Sequence, residues 1–192
     1  MVYDKDFWEK YARENESRYN EEFVKFIKDL AISLRCTSVL EIGCGTGIDL
    51  RLFPENVTVF GVDLNDLALD MAKKENSSIN FKKGSITDLP FDDSSVDFIF
   101  THKFLNCLND EDLKKGVDEM YRVGAKYIAN CEMYDPTESK TEGVFTSRNM
   151  LNRWKDYKVK IISDVDMHED IEPEKIRFTL VKKLENDRMN VI

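Results

Sequence analysis

The sequence predicts an α/β chain, a Rossmann-like doubly wound sheet of seven strands with helices ahead of it. Three observations predict this. Short apolar runs of strand length recur from Ser38 to Lys182, separated by helix-period segments and polar turns. The stretch Val39–Leu50, VLEIGCGTGIDL, joins one apolar run to glycines at 43, 45 and 47, where the backbone can turn sharply and leave room for a ligand. A second apolar run, Val57 to Val62, ends in Asp63, twenty residues after Gly43.

Each element has its own signal. Residues from Asp4 to about Arg35 read as two helices. Phe7, Trp8 and Tyr11 share one face of the first. After a break near Ser17 to Asn20, Phe23, Phe26, Ile27, Leu30, Ile32 and Leu34 stripe the second. The first strand is Ser38 to Ile42; the glycine turn then leads into a helix that stops at Phe53, because Pro54 disfavours helix ahead of it. Beyond the second strand, Asn65 caps a helix running to Lys74. The third strand is Ile79 to Lys82, and the fourth, Val96 to Thr101, should be central. A helix follows from about Glu111 to Val123, capped by Asn109 or Asp110, then a strand from Lys126 to Cys131. The polar loop Asp135–Gly143 reads as mobile, and Ser147 starts a short helix to Trp154. The last strands are Val159 to Val165 and Ile176 to Lys182, around an acidic loop; residues after Leu184 read as frayed. The whole is one domain, with residues 1–30 a helical elaboration on a core of 31–192.

The turn suggests its ligand. A dinucleotide fingerprint needs glycine at 48, where Ile48 stands. Glu41, at the end of the first strand, would repel a pyrophosphate and attract a cation. Asp63 suits a carboxylate accepting from both ribose hydroxyls. An adenosine with a positively charged tail meets both demands, and S-adenosylmethionine carries a sulfonium and an ammonium.

Glu41-Ile42-Gly43-Cys44-Gly45-Thr46-Gly47, Asp63, and Gly84-Ser85-Ile86-Thr87-Asp88-Leu89-Pro90-Phe91 together resemble the signature stretches of class I S-adenosylmethionine-dependent methyltransferases, in that family's order and spacing. The resemblance implies an antiparallel last strand and leading helices that lie over the cofactor. It also implies a side chain after Gly84 that accepts from the adenine amino group; the family often has Asp there, and Ser85 is a departure. The candidate cofactor-binding residues are Tyr11, Glu41, Gly43, Cys44, Gly45, Gly47, Asp63, Leu64, Ser85, Ile86 and Thr101.

The candidate catalytic residues sit at strand tips. His102 follows the central strand, and as a neutral imidazole it would accept a proton from the methyl acceptor; the alternative is that it orders the loop or packs beside the cofactor. Glu132 and Tyr134 follow the fifth strand and would line the acceptor pocket. The segment from Ser94 through Tyr134 is similar to methylases associated with pseudaminic acid biosynthesis, which implies a sugar or sugar-nucleotide acceptor. Two other readings stand beside a small-molecule methyltransferase: a non-catalytic S-adenosylmethionine-binding accessory protein, and a nicotinamide-dependent oxidoreductase, disfavoured by Ile48 and Glu41.

Composition bounds the partners. The formal net charge of -9 argues against a nucleic-acid partner. No apolar run is long enough to span a membrane, and the N-terminal segment lacks the apolar core of a secretory signal. Cys36, Cys44, Cys107 and Cys131 are scattered, which suits a reducing cytoplasm and no disulfide or zinc framework. His168, among Asp166, Glu169 and Asp170, reads as a loop histidine, so no metal is expected.

Overall fold

A computed structural model describes residues 5–15 and 19–184. Of the expected break near Ser17 to Asn20, residues 17 and 18 lie outside the described residues, as does the tail beyond Leu184, while residues 19 and 20 are non-helical.

Two helices lead: α1 (Lys5–Asn15) and α2 (Glu21–Ser33). Asn20 caps α2, its side chain accepting from the Phe23 N–H. Strand β1 (Ser38–Ile42) enters the glycine turn. The helix expected after that turn is only a 3-10 turn, Ile48–Leu50. Gly47 is left-handed at its start, and Pro54 lies too close beyond it for regular helix to develop. Then follow β2 (Thr58–Asp63), α3 (Asp66–Glu75), β3 (Asn80–Lys83), β4 (Val96–His102), α4 (Asp110–Val123) and β5 (Gly124–Met133). A small hairpin, β6 (Thr141–Glu142) and β7 (Phe145–Thr146), precedes α5 (Met150–Trp154). Asn149, not Ser147, caps α5 by accepting from the Asn152 N–H. The chain closes with β8 (Val159–Asp166) and β9 (Ile176–Lys183).

Seven strands form one sheet in the order β3-β2-β1-β4-β5-β9-β8. β4 is central, as expected, and β1 to β5 run parallel. The last strand, β9, is antiparallel to both β5 and β8 and lies between them. The order reverses between β1 and β4, so a crevice opens outside the carboxyl ends of those strands.

Each face of the sheet has its own core. Phe23, Ile27 and Ala31 of α2 pack with Leu50 and Leu69 against Val39, Phe98, Phe100 and Ala129 on one face. Leu113, Val117 and Met120 of α4, with Trp154 of α5, cover Leu40, Ile99 and Ile128 on the other. Because β1 and β4 are covered on both sides, their sequences are near-continuous apolar runs. α2 is core, and it runs across the expected boundary between residues 30 and 31. The loop expected to be mobile is tied down. Its Glu138 carboxylate accepts from the Asn149 N–H at 3.1 Å and from the guanidinium of Arg153, and pairs with Arg148.

Candidate functional site

The site begins with the glycine turn. Gly43 N–H and Cys44 N–H both donate to the Val62 carbonyl, at 2.8 and 3.1 Å, binding the turn to the end of β2. Gly43 has a φ of +75°, and a Cβ there would lie 2.3 Å from the Phe104 ring. The backbone must therefore be bare at 43 on both conformational and steric grounds. Gly45 is also left-handed, at +51°, but a Cβ there would meet nothing within 4 Å.

Above the turn is a cavity of about 980 Å³, at the carboxyl ends of β1, β2 and β4. That volume suits a cofactor with an acceptor beside it. Among the carboxylates that line it, those of Glu41, Asp49 and Asp63 come from the ends of β1 and β2 and from the turn between them. Glu41 is 3% exposed, and its Oε2 has no hydrogen-bond partner. Burial first, then the charges of Asp49 and Asp63, push its carboxyl well above the usual range. Asp63 is held by the backbone: Oδ2 accepts from Gly45 N–H at 2.9 Å and Oδ1 from Asn65 N–H at 2.8 Å. Burial raises its pKa, opposed by those bonds. A carboxylate oxygen accepts more than one hydrogen bond, so each of these retains capacity for a hydroxyl. Mutual repulsion and an orphaned acceptor are what a bound cation would relieve.

His102, at the tip of β4, lines the same cavity, but both ring nitrogens are engaged. Nδ1 lies 2.7 Å from Asp49 Oδ2 and Nε2 3.1 Å from Glu172 Oε2. Phe23 stacks on the ring at 3.7 Å between centroids. Burial pushes the imidazole pKa down, but the Asp49 charge and the hydrogen bonds to Asp49 and Glu172 prevail and raise it to about 9. Glu172, 2% exposed on the β8–β9 loop, also accepts from Asn20 Nδ2 at 3.2 Å and lies 3.4 Å from Lys103 Nζ. Burial would raise its pKa, yet the His102 hydrogen bond and the Lys103 charge bring it down to about 2.

Of the residues expected at the site, Tyr11, Glu41, Gly43, Cys44, Gly45, Asp63, Leu64, Ser85, Ile86 and His102 line the cavity. Gly47 and Thr101 do not. Gly47 shapes the turn from behind, against Phe81, and Thr101 is fully buried and accepts from Asn130 Nδ2 at 3.0 Å. Glu132 and Tyr134 do not line it either, which corrects their placement in the acceptor pocket. Glu132 is 1% exposed behind the wall, its Oε2 accepting from Leu105 N–H at 3.1 Å. Burial pushes its pKa up to about 7, against hydrogen bonds from Thr101 and Leu105. The Tyr134 ring instead lies under the Arg177 guanidinium, 4.6 Å away. Ser85 Oγ is engaged locally, accepting from Thr87 N–H at 3.2 Å. All four cysteines are free and buried, and burial raises each thiol, Cys36 to about 11 and Cys107 to about 12. Asp49 and Glu172 were not anticipated. Asp49 hides in a stretch read as plain helix, and nothing in the acidic loop sets Glu172 apart from its neighbours.

Comparison with known proteins places this geometry. Residues 39–126 match the family described as Methyltransferase domain. An uncharacterized methyltransferase of Schizosaccharomyces pombe is 36% identical over 86 residues, 38% of this chain and 31% of that protein. An uncharacterized protein of Methanocaldococcus jannaschii is 27% identical over 124 residues, 62% of this chain and 46% of its own length. The chain thus spans less than half the length of these curated relatives. Among solved structures, an S-adenosylmethionine-dependent methyltransferase from Methanosarcina mazei superposes with a TM-score of 0.65 at 21% identity, covering 78% of this chain and 93% of that one; this likeness speaks to the fold. The segment that matches the methyltransferase domain holds the turn, Asp63 and the Ser85 loop, and S-adenosylmethionine is the cofactor its carboxylate-lined pocket fits.

Proposed function

We propose that the chain transfers a methyl group from S-adenosylmethionine to a small-molecule acceptor. The observation that carries this reading is the convergence of Glu41, Asp49 and Asp63 beside a bare-backbone turn, with Glu41 Oε2 buried and unpartnered. In this reading Glu41 receives the ammonium, Asp63 the ribose hydroxyls, and the backbone at Gly43, Cys44 and Gly45 lies along the amino-acid tail. Leu64 and Ile86 flank the adenine, with Ser85 at its edge. α1 serves as the lid, since Trp8 and Tyr11 line the cavity and Asn65 Nδ2 donates to the Trp8 carbonyl at 2.9 Å.

The bound sulfonium supplies an activated methyl group. The protein's share is alignment and exclusion of water, the latter favoured by the apolar walls of Trp8, Phe104, Leu108, Met133 and Phe145. The resemblance in the Ser94–Tyr134 segment supports a sugar or sugar nucleotide as acceptor. Across the lining, carboxylates outnumber the lysines Lys5, Lys83 and Lys103, which makes a neutral or amino-bearing sugar a better fit than a diphosphate-linked one.

A thermal-shift panel with S-adenosylhomocysteine, NAD and ATP tests the cofactor. S-adenosylhomocysteine alone should stabilise the chain, and Asp63→Ala should weaken its binding about tenfold or more, measured by calorimetry. Stabilisation by NAD instead would move the chain to hydride chemistry. Methyl release over a metabolite library separates an enzyme from a binding subunit.

A further inference from the structure

We infer that His102 is a positioning residue: a charged brace that clamps Asp49 of the cofactor turn to Glu172 of the β8–β9 loop, rather than the base of the reaction. The inference rests on the methyl-transfer reading for its purpose, but on contacts alone for its form.

The geometry leaves the imidazole no free lone pair. Each ring nitrogen faces a carboxylate oxygen, at 2.7 and 3.1 Å. An ionised carboxylate only accepts, so both nitrogens must carry hydrogen, and such a ring is an imidazolium. A general base needs an unprotonated nitrogen within reach of the acceptor's proton. His102 offers none while both carboxylates hold it.

The contacts also show what is held. Asp49 lines the cavity just beyond the glycines and is 6% exposed. Glu172 lies outside the cavity lining, and Asn20, the cap of α2, donates to Glu172 Oε2 and to the Ile171 carbonyl. One ring therefore joins the cofactor turn, the tip of β4, the far loop and the start of α2. Phe23 of α2 stacks on its face, which fixes the ring plane. The charged groups around it are Asp49, Glu172, Lys103 and, from β5, Glu132. With the brace charged, Asp49 is kept at one position beside the cationic end of the ligand.

The chain has two histidines, and His168 is exposed, so the two imidazoles are separable by NMR. In the ligand-free protein His102 should remain protonated through neutral pH, its signal identified by its loss in His102→Gln. Titration at or below about 6.5, the ordinary histidine value, would overturn the brace. The second readout is S-adenosylhomocysteine affinity by calorimetry. Glu172 reaches the cavity lining only through His102, Lys103 and the Glu174 N–H, which donates to its Oε1 at 3.2 Å, yet Glu172→Gln should weaken binding about fivefold to tenfold, and combining it with His102→Gln should add little. Unchanged affinity in Glu172→Gln, with His102→Gln losing only its saturating methyl-transfer rate, would restore the base and sink the brace. If the wild-type chain binds no S-adenosylhomocysteine, the methyl-transfer reading fails, while the NMR titration still decides whether the ring is a clamped cation.

Discussion

At the scale of single residues, the site divides by sequence distance. Glu41, Gly43, Gly45 and Asp63 were legible because a turn and two strand ends place them, and each is adjacent to a pattern that survives without the fold. The brace was not legible. Its members are 53 and 70 residues from His102, and only the closing of the sheet brings them together. A histidine after a central strand read equally as a base or as a residue that orders the loop; the two buried carboxylates beside it favour the second. Gly43 gives a direct residue-scale prediction. Gly43→Ala must accept a φ of +75° and a Cβ 2.3 Å from the Phe104 ring. Chemical denaturation should show a loss of about 1–3 kcal/mol, because the left-handed backbone disfavours alanine and Phe104 must also move. Gly45→Ala, which meets no atom within 4 Å, should lose less.

At the scale of elements, strands were read better than helices. All seven sheet strands fall within a residue or two of the expected ends, because their apolar runs are short and bounded by turn residues. The missing helix after the glycine turn shows the weakness of periodicity over few residues: Ile48, Leu50 and Leu52 suit a helix face, but Gly47 and Pro54 leave space for a single turn. Glu132 and Tyr134 failed for a related reason. A position at a strand tip does not say which way a side chain faces, and β5 turns Glu132 into the wall. Caps were more readable: Asn65 caps its helix as expected, and of the two candidates Asn109 and Asp110 it is Asn109 that accepts, from the Asp112 N–H. Asn20 does more than cap. Asn20→Ala should cost about 1–2 kcal/mol as an N-cap alone, and further because the Glu172 loop loses a donor; thermal melting beside Asn109→Ala, a cap facing solvent, isolates the difference.

At the scale of the whole molecule, buried charge sets how stability depends on pH. His102 titrates near 9 when folded against an ordinary 6.5, so its stabilising contribution is complete below 6.5 and is lost as pH rises through 9. Glu172 titrates near 2 against 4.5, so its contribution is complete above 4.5 and is lost as pH falls toward 2. Glu132, raised from 4.5 to about 7, favours the folded state only below 4.5 and loses that contribution by 7. The melting temperature should therefore peak near pH 4.5, where the Glu172 and Glu132 contributions cross, and fall on the alkaline side; in His102→Gln the part of that fall above about pH 6.5 should flatten. Glu132→Gln, by removing a buried charge, should gain stability at pH 8 relative to pH 5, read by the same calorimetric scan.

The position of β9 has a consequence for how the chain is made. Its final strand fills a slot between two earlier ones, so while residues up to 175 are emerging from a ribosome, β5 has a bare edge and β8 has no neighbour to join. The sheet is completed by long-range pairing, the slow kind, once the last segment is free to insert. Glu172 precedes that segment by a few residues and is seated with it, so the contact from Glu172 through His102 to Asp49 closes only once β9 has paired.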